Sequence, residues 1–270
     1  MRRVCFYNVV QGERYAAYVP VYLLALRHTY PESGALIECH GPVSDRVREA
    51  IESVRLPRHA VRFFDWQWPS HGDAMWARWA ACREEFDAYE YVFVGDIDYL
   101  FAPETPNLLE RRVAAMGEHC VSNTDKLDAV PQEDRRVTGL HMVRVRPYYD
   151  LIRGVAAELG NLLIRGIKPE WAWSSHFRQP DNQKALRVML ERSGIGVPPQ
   201  GFFEYHGIHI GHGRVPGRWD AFLGPGGCPQ QRAYVDALWP FLQSADFSRL
   251  VFPCFAGEID AIMDAKRKHA

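Results

Sequence analysis

Apolar residues recur along the chain in two rhythms. Short apolar runs at residues 4–10, 35–39, 60–64 and 91–94 read as strands. The stretches between them, 15–28, 44–54 and 73–86, carry helical spacing. Pro20 is tolerable only near a helix start, and Ser44 or Asp45 serves as a cap. Strands that alternate with helices through residue 101 predict an α/β fold with a mostly parallel, doubly wound sheet and helices on both faces. The run at 91–94 is apolar on both faces, which places it centrally in the sheet. Such sheets bind ligands beyond the carboxyl ends of their strands, so functional residues are expected after Val10, Phe64 and Val94.

The second half is less regular. Residues 120–122 and 139–145 read as short strands, and 148–159, 181–192 and 258–268 as helices. Residues 207–213 form a loop or strand end rich in Gly and His, and 224–229 a loop. No internal repeat or domain boundary stands out. The reading is one domain over 1–270.

Composition narrows the class. Of 270 residues, 47% are hydrophobic and 24% charged, as in a globular protein with a sizeable core. The net charge of −1 supplies no field that would draw in nucleic acid. Arg135 and Arg136 are expected on solvated surface. The six cysteines form no CxxC pair, and their spacing suggests neither a zinc site nor a disulfide framework, which favours a reducing, cytoplasmic setting. No run of about 18 apolar residues exists to span a membrane. The basic tail Lys266-Arg267-Lys268-His269 is compatible with weak attraction to an anionic membrane surface.

The chemistry concentrates in Gly95-Asp96-Ile97-Asp98, directly after an apolar strand. In extended chain, residues i and i+2 share a face, so the two acids converge while Ile97 turns to the core. Two like charges beside apolar packing are costly unless a cation neutralises them. Their oxygens suit Mn²⁺ or Mg²⁺, which grips a diphosphate and stabilises it as it leaves. A third ligand is expected from His206, His209 or His212; a purely histidine zinc site competes with that reading. Arg214 offers a permanent cation for phosphate oxygens. Trp66, Trp68, Trp171, Trp173 and Phe177 fall in loop-like segments where they anchor loops or present ring faces to a binding groove, with His71 and His176 nearby.

In these segments the chain resembles the GT-A-fold glycosyltransferases, most of all the glycogenin and lipopolysaccharide-galactosyltransferase type. The resemblance spans residues 4–214 and rests on the order of its segments. These are Tyr15, the Trp76-Ala77-Arg78-Trp79 helix, the Asp96-Ile97-Asp98 triplet, Thr138-Gly139, Asp181-Asn182-Gln183 and His209-Ile210-Gly211-His212-Gly213-Arg214. The family's Pro-Trp after the last segment is absent; Pro216 and Trp219 are displaced.

The resemblance implies a mixed, mostly parallel GT-A-like sheet in one catalytic domain, with a nucleotide-binding half at about 1–101 and an acceptor-side half at about 102–270, and a retaining hexosyltransferase acting on a nucleotide-diphosphate sugar, UDP-sugar favoured, with a saccharide or other hydroxyl acceptor. It implies donor contacts from Tyr15, Arg78, Asp96, Gly139 and Arg214, metal ligands in Asp96, Asp98 and His209, and catalytic groups beside the sugar in Asp181 and Asn182. An inverting reaction would need a carboxylate base such as Asp181 or Glu204. The alternatives are a non-catalytic carbohydrate- or nucleotide-binding protein of the same fold and another metal-dependent nucleotide-processing enzyme. A phosphatase of the haloacid dehalogenase type is disfavoured, because its acids stand near the N-terminus and Leu100 replaces the needed Thr or Val.

Overall fold

The computed structural model describes residues 4–123, 131–137, 140–198 and 206–269. Strand β1 (Val4–Gln11) leads into α1 (Glu13–Ala16) and α2 (Val19–Thr29), β2 (Gly34–His40) into α3 (Asp45–Ser53), and β3 (Arg58–Phe64) into α4 (His71–Ala80). Strand β4 (Tyr91–Val94) runs through a turn to β5 (Tyr99–Phe101) and α5 (Leu108–Met116). Next come β6 (His141–Arg144), α6 (Val145–Ile164), β7 (Trp173–Ser174), β8 (Gln179–Pro180) and α7 (Asn182–Arg192). The chain closes with β9 (Gly207–His209), α8 (Arg218–Leu223), α9 (Pro229–Leu242), α10 (Ala245–Leu250) and α11 (Pro253–Lys268).

The main sheet has the order β3-β2-β1-β4-β6. The first four strands are parallel, and β6 runs antiparallel to β4. Side-chain alternation then divides the core. Val4, Phe6, Ala35, Ile37, Tyr91 and Phe93 pack on one face with α2, α3, α9 and α11. Cys5, Tyr7, Leu36, Val92 and Val94 pack on the other with α4, α6 and α7. This is an α/β fold with a mixed, mostly parallel sheet covered by helices on both faces, of the GT-A-like doubly wound kind. β3 alternates between exposed and half-buried positions, as an edge strand does. Ser44 caps α3, accepting from the Val47 amide at 3.4 Å.

Several expectations change in detail. β4 is interior but not central; the middle strand is β1. Residues 15–28 form two helices, with Pro20 in the first turn of the second, where its missing N–H costs nothing. The helix expected over 73–86 stops at Ala80. Ala81 turns to φ −75°, ψ 121°, and the chain resumes as a 3-10 turn at Glu84–Ala88. That break lets Arg83 donate a forked pair of bonds to the buried Glu38, at 2.6 and 2.7 Å. In place of a strand at 120–122 there is a single bridge between Val121 and Val143. The last helix begins at Pro253, five residues before the expected start, because Pro fits a first helical turn.

Candidate functional site

The parallel sheet reverses its order between β1 and β4, and Tyr15, Arg78, Asp96, Asp98, His209 and Arg214 of the side chains named from the sequence gather at the carboxyl ends of these strands. A cleft of about 200 Å³ there is lined by Asn8 and Val10 from β1, Tyr15, Arg78, Asp96, Asp98, His209 and Arg214. A larger cavity, about 900 Å³, opens at the opposite ends of the strands beside Val4, Tyr30 and Tyr91 and contains none of these groups.

Asp96 and Asp98 converge, but not by strand alternation. β4 ends at Val94, and Ile97 and Asp98 lie in the turn that leads to β5. Ile97 is buried in the core, as expected. A short antiparallel ladder then joins distant sequence to this turn. Tyr99 pairs with His209 and Phe101 with Gly207, and the Ile210 amide donates to the Asp98 carbonyl at 2.8 Å. Gly207 is required in this ladder: a Cβ there would stand 2.0 Å from the Leu100 carbonyl oxygen. The ladder sets His209 Nε2 at 3.5 Å from Asp98 Oδ1 and 3.8 Å from Asp96 Oδ2.

Two arginines hold the other carboxylate oxygens. Arg78, buried on α4, donates from Nη1 to Asp96 Oδ1 at 2.6 Å and to the Gly95 carbonyl at 2.7 Å. Its guanidinium also lies 4.4 Å from the centre of the Trp79 ring. Arg214 donates from Nη2 to Asp98 Oδ2 at 2.9 Å. Each acid thus turns one oxygen to an arginine and the other toward His209. The electrostatics separate the two acids. Burial acts to raise the Asp96 pKa, but Arg78 and His209 outweigh it and hold the carboxyl below its usual range. For Asp98, burial and the neighbouring Asp96 charge prevail over His209 and Arg214, and its pKa is raised.

Gly211 lies against both Asp98 and His209. A Cβ at that position would stand 2.6 Å from Asp98 Oδ2 and 2.7 Å from His209 Cε1. The donor set of two carboxylates and an imidazole therefore sits in a space that a larger residue would fill, and its chemistry suits Mn²⁺. As the side chains stand, no group of three or more His, Cys, Asp or Glu among the described residues is placed to hold a metal ion.

The three candidate histidines separate. His206 is fully buried beside Glu104, with its ring nitrogen 2.5 Å from the carboxylate. Burial, with Arg112 and Arg111 nearby, pushes its pKa down to about 3. His212 stacks on the back of His209, ring centres 4.9 Å apart, next to Trp219 and Phe222. Burial and the charge of His209 lower its pKa to about 4.

Tyr15 faces the cleft, and the His71 ring covers it in a stack at 4.1 Å. Asp181 and Asn182 are not among the described residues that line the cleft. Asp181 caps α7, accepting from the Lys184 amide at 2.7 Å, and pairs with Arg136 at 3.2 Å. Arg136 is therefore not solvated surface; it also stacks over Phe177, 4.3 Å away. Thr138, Gly139 and Glu204 lie outside the described residues. Trp66 and Trp173 are exposed and Trp68 is buried. In the basic tail, Lys266 pairs with Asp236, Arg267 with Asp264, and Lys268 and His269 with Asp220.

Sequence reasoning missed Asn8, Tyr18 and Glu258. Asn8 is 1% exposed and lines the cleft. Tyr18 and Glu258 both contact Arg214. The available signal was an acid on the apolar stripe of a helix: Glu258 falls among Phe255, Ile259 and Ile262.

No protein-family model matches the chain, and a search of curated proteins finds no match. Solved structures of similar shape exist. The galactosyltransferase LgtC, bound to donor and acceptor sugar analogues, is 14% identical over 72% of each chain, with a TM-score of 0.45. A protein from Desulfovibrio desulfuricans G20 assigned as a nucleotide-diphospho-sugar transferase is 12% identical, covering 98% of this chain and 99% of its own, TM-score 0.48. TarS from S. aureus, residues 1–349, is 13% identical over 99% of this chain and 91% of its own, TM-score 0.41. At these values the likeness says nothing about chemistry, and the fold assignment rests on the strand order and direction described above.

Proposed function

We propose that the chain is a metal-dependent glycosyltransferase that moves a hexose from a nucleotide-diphosphate sugar, UDP-sugar favoured, to a saccharide or other hydroxyl acceptor with retention. It acts as one catalytic unit. The observation that carries this reading is the meeting of Asp96, Asp98, His209, Arg78 and Arg214 at the point where the strand order reverses. Asp98 and His209 would hold Mn²⁺ or Mg²⁺, with Asp96 on the metal or the donor ribose. The ion would supply charge stabilisation to the departing diphosphate.

The chain's own groups do the rest. Arg214 and Arg78 present fixed positive charge toward phosphate or sugar oxygens, in a cleft where water screens it weakly. Tyr15 offers a ring face to the base once His71 moves aside. Gly139 would face the sugar with its backbone, and Asp181 and Asn182 would approach it from the acceptor side. The six free cysteines support a reducing, cytoplasmic setting. Among the described residues no helix is long and apolar enough to cross a membrane.

One observation favours a second reading. Arg78 and Arg214 already neutralise both acids. A nucleotide-binding protein of the same fold could therefore use the arginines alone, without an ion. Thermal unfolding with UDP, GDP and CMP, each with and without Mn²⁺, separates the two. The transferase reading expects stabilisation by UDP that requires Mn²⁺, about 2.7 kcal/mol at a hundredfold excess over Kd. It also expects UDP release from a UDP-sugar when an acceptor is added. Stabilisation indifferent to Mn²⁺, with no turnover, would establish the binding protein instead.

A further inference from the structure

Arg214 stands between two carboxylates. Its Nη2 donates to Asp98 Oδ2 at 2.9 Å and to the Tyr18 hydroxyl oxygen at 3.0 Å, and its Nε donates to Glu258 Oε1 at 2.9 Å. Glu258 projects from α11 and is 6% exposed. It also accepts from Arg14 Nη2 at 3.0 Å and from the Tyr18 hydroxyl. A buried acid among Phe255, Ile259 and Ile262 is costly to keep unless it is paired, so its retention there asks what the pairing achieves.

We propose that Glu258 is a positioning residue that makes Arg214 an exchangeable counterion: Arg214 neutralises Asp98 in the free protein, and Glu258 with Tyr18 keeps hold of it when it leaves Asp98 and turns toward the donor diphosphate. The inference rests on the metal–diphosphate reading above. A guanidinium that left Asp98 with no second carboxylate would remain partly buried and unpaired, which is expensive. Glu258 removes that expense. Arg214 and a divalent cation then compete for Asp98, and Glu258 weakens the arginine's side of that competition. A cation and a diphosphate bind cooperatively as a result: one releases Arg214, and the other receives it.

The test is Mn²⁺ binding to the full chain without nucleotide, read by the electron paramagnetic resonance signal of free Mn²⁺. Arg214→Gln should bind Mn²⁺ about tenfold tighter than the wild type, the scale of one charge-assisted hydrogen bond. Glu258→Gln should bind it several-fold more weakly, and Tyr18→Phe should shift in the same direction by less. Glu258→Asp should recover toward the wild type. The double variant Glu258→Gln/Arg214→Gln should match Arg214→Gln, because the competitor is gone. Damage to the fold would weaken binding in the single and double variants alike and so cannot produce this pattern. Wild-type affinity in Glu258→Gln, or a double variant as weak as Glu258→Gln, overturns the inference while Mn²⁺ binding through Asp98 still stands. Unchanged Mn²⁺ binding in Asp98→Asn, or none in either the wild type or Arg214→Gln, overturns the metal reading and this inference with it.

Discussion

His209 Nε2 stands 3.5 Å from Asp98 Oδ1, although 111 residues separate them in sequence. The β5–β9 ladder makes this meeting, with Tyr99 opposite His209 and the Ile210 amide on the Asp98 carbonyl. Both side chains are thereby fixed by backbone pairing rather than by loop packing. Asp98→Asn should keep the fold, because Arg214 retains Glu258 as its partner. It should abolish the Mn²⁺-dependent stabilisation by UDP and lower turnover at least about a hundredfold, the range seen when a transition-state charge stabiliser is removed. Circular dichroism with thermal shift and UDP release measure the two effects.

The three histidines should respond differently to substitution. His209→Ala should weaken Mn²⁺ affinity with little change in Tm. His206→Ala should leave Mn²⁺ affinity unchanged and destabilise the fold by about 1–3 kcal/mol, since it strips Glu104 of a buried partner. His212→Ala should act through packing against His209 and fall between them. Paired Mn²⁺ titration and urea unfolding of the three variants would expose a different ordering.

Two glycines on the same strand–turn should give opposite phenotypes. Gly211→Ala puts a methyl group against the ends of two side chains, Asp98 and His209, which can move. Activity and metal affinity should fall sharply while Tm changes by only a few degrees. Gly207→Ala puts the methyl group into the Leu100 carbonyl, which cannot move without breaking the ladder. That variant should lose stability and site together. Tm and Mn²⁺ affinity, compared across the pair, check this.

Glu38 predicts a feature of the acid limb. Burial alone would raise its pKa, but His40 and the Arg83 fork outweigh it and bring it to about 2. The folded value lies below that of an unfolded glutamate, about 4.3, so the contribution to stability is complete above that pH and is lost as pH falls through about 2. The linkage amounts to something on the order of 3 kcal/mol. Glu38→Gln should flatten the urea-unfolding free energy between pH 4.5 and 2 relative to the wild type. An unchanged slope would contradict the assignment.

Much of the architecture follows from local chemistry. The short apolar runs, the Ser44 cap and the helix-opening Asp181 depend on residues within a few positions of one another, so the alternating strand–helix order was legible along the chain. The acid pair was legible too, because an apolar strand followed at once by two carboxylates is a local anomaly. A turn, not an extended strand, brings the acids together, because β4 ends at Val94 before it reaches them. The break after Ala80 was illegible because the Arg83–Glu38 pairing that accompanies it spans 45 residues and two elements.

By itself, then, the sequence determined the alternating element order, the two-faced strands and the candidate acids at Asp96 and Asp98, since propensity, capping and burial act over short distances. Only the tertiary structure decided which histidine meets those acids, that each acid pairs with its own arginine, and that Glu258 on the last helix reaches Arg214. Those outcomes depend on ladder register and helix packing between segments far apart in the chain, and no local pattern specifies which of several similar residues the register will bring to the cleft.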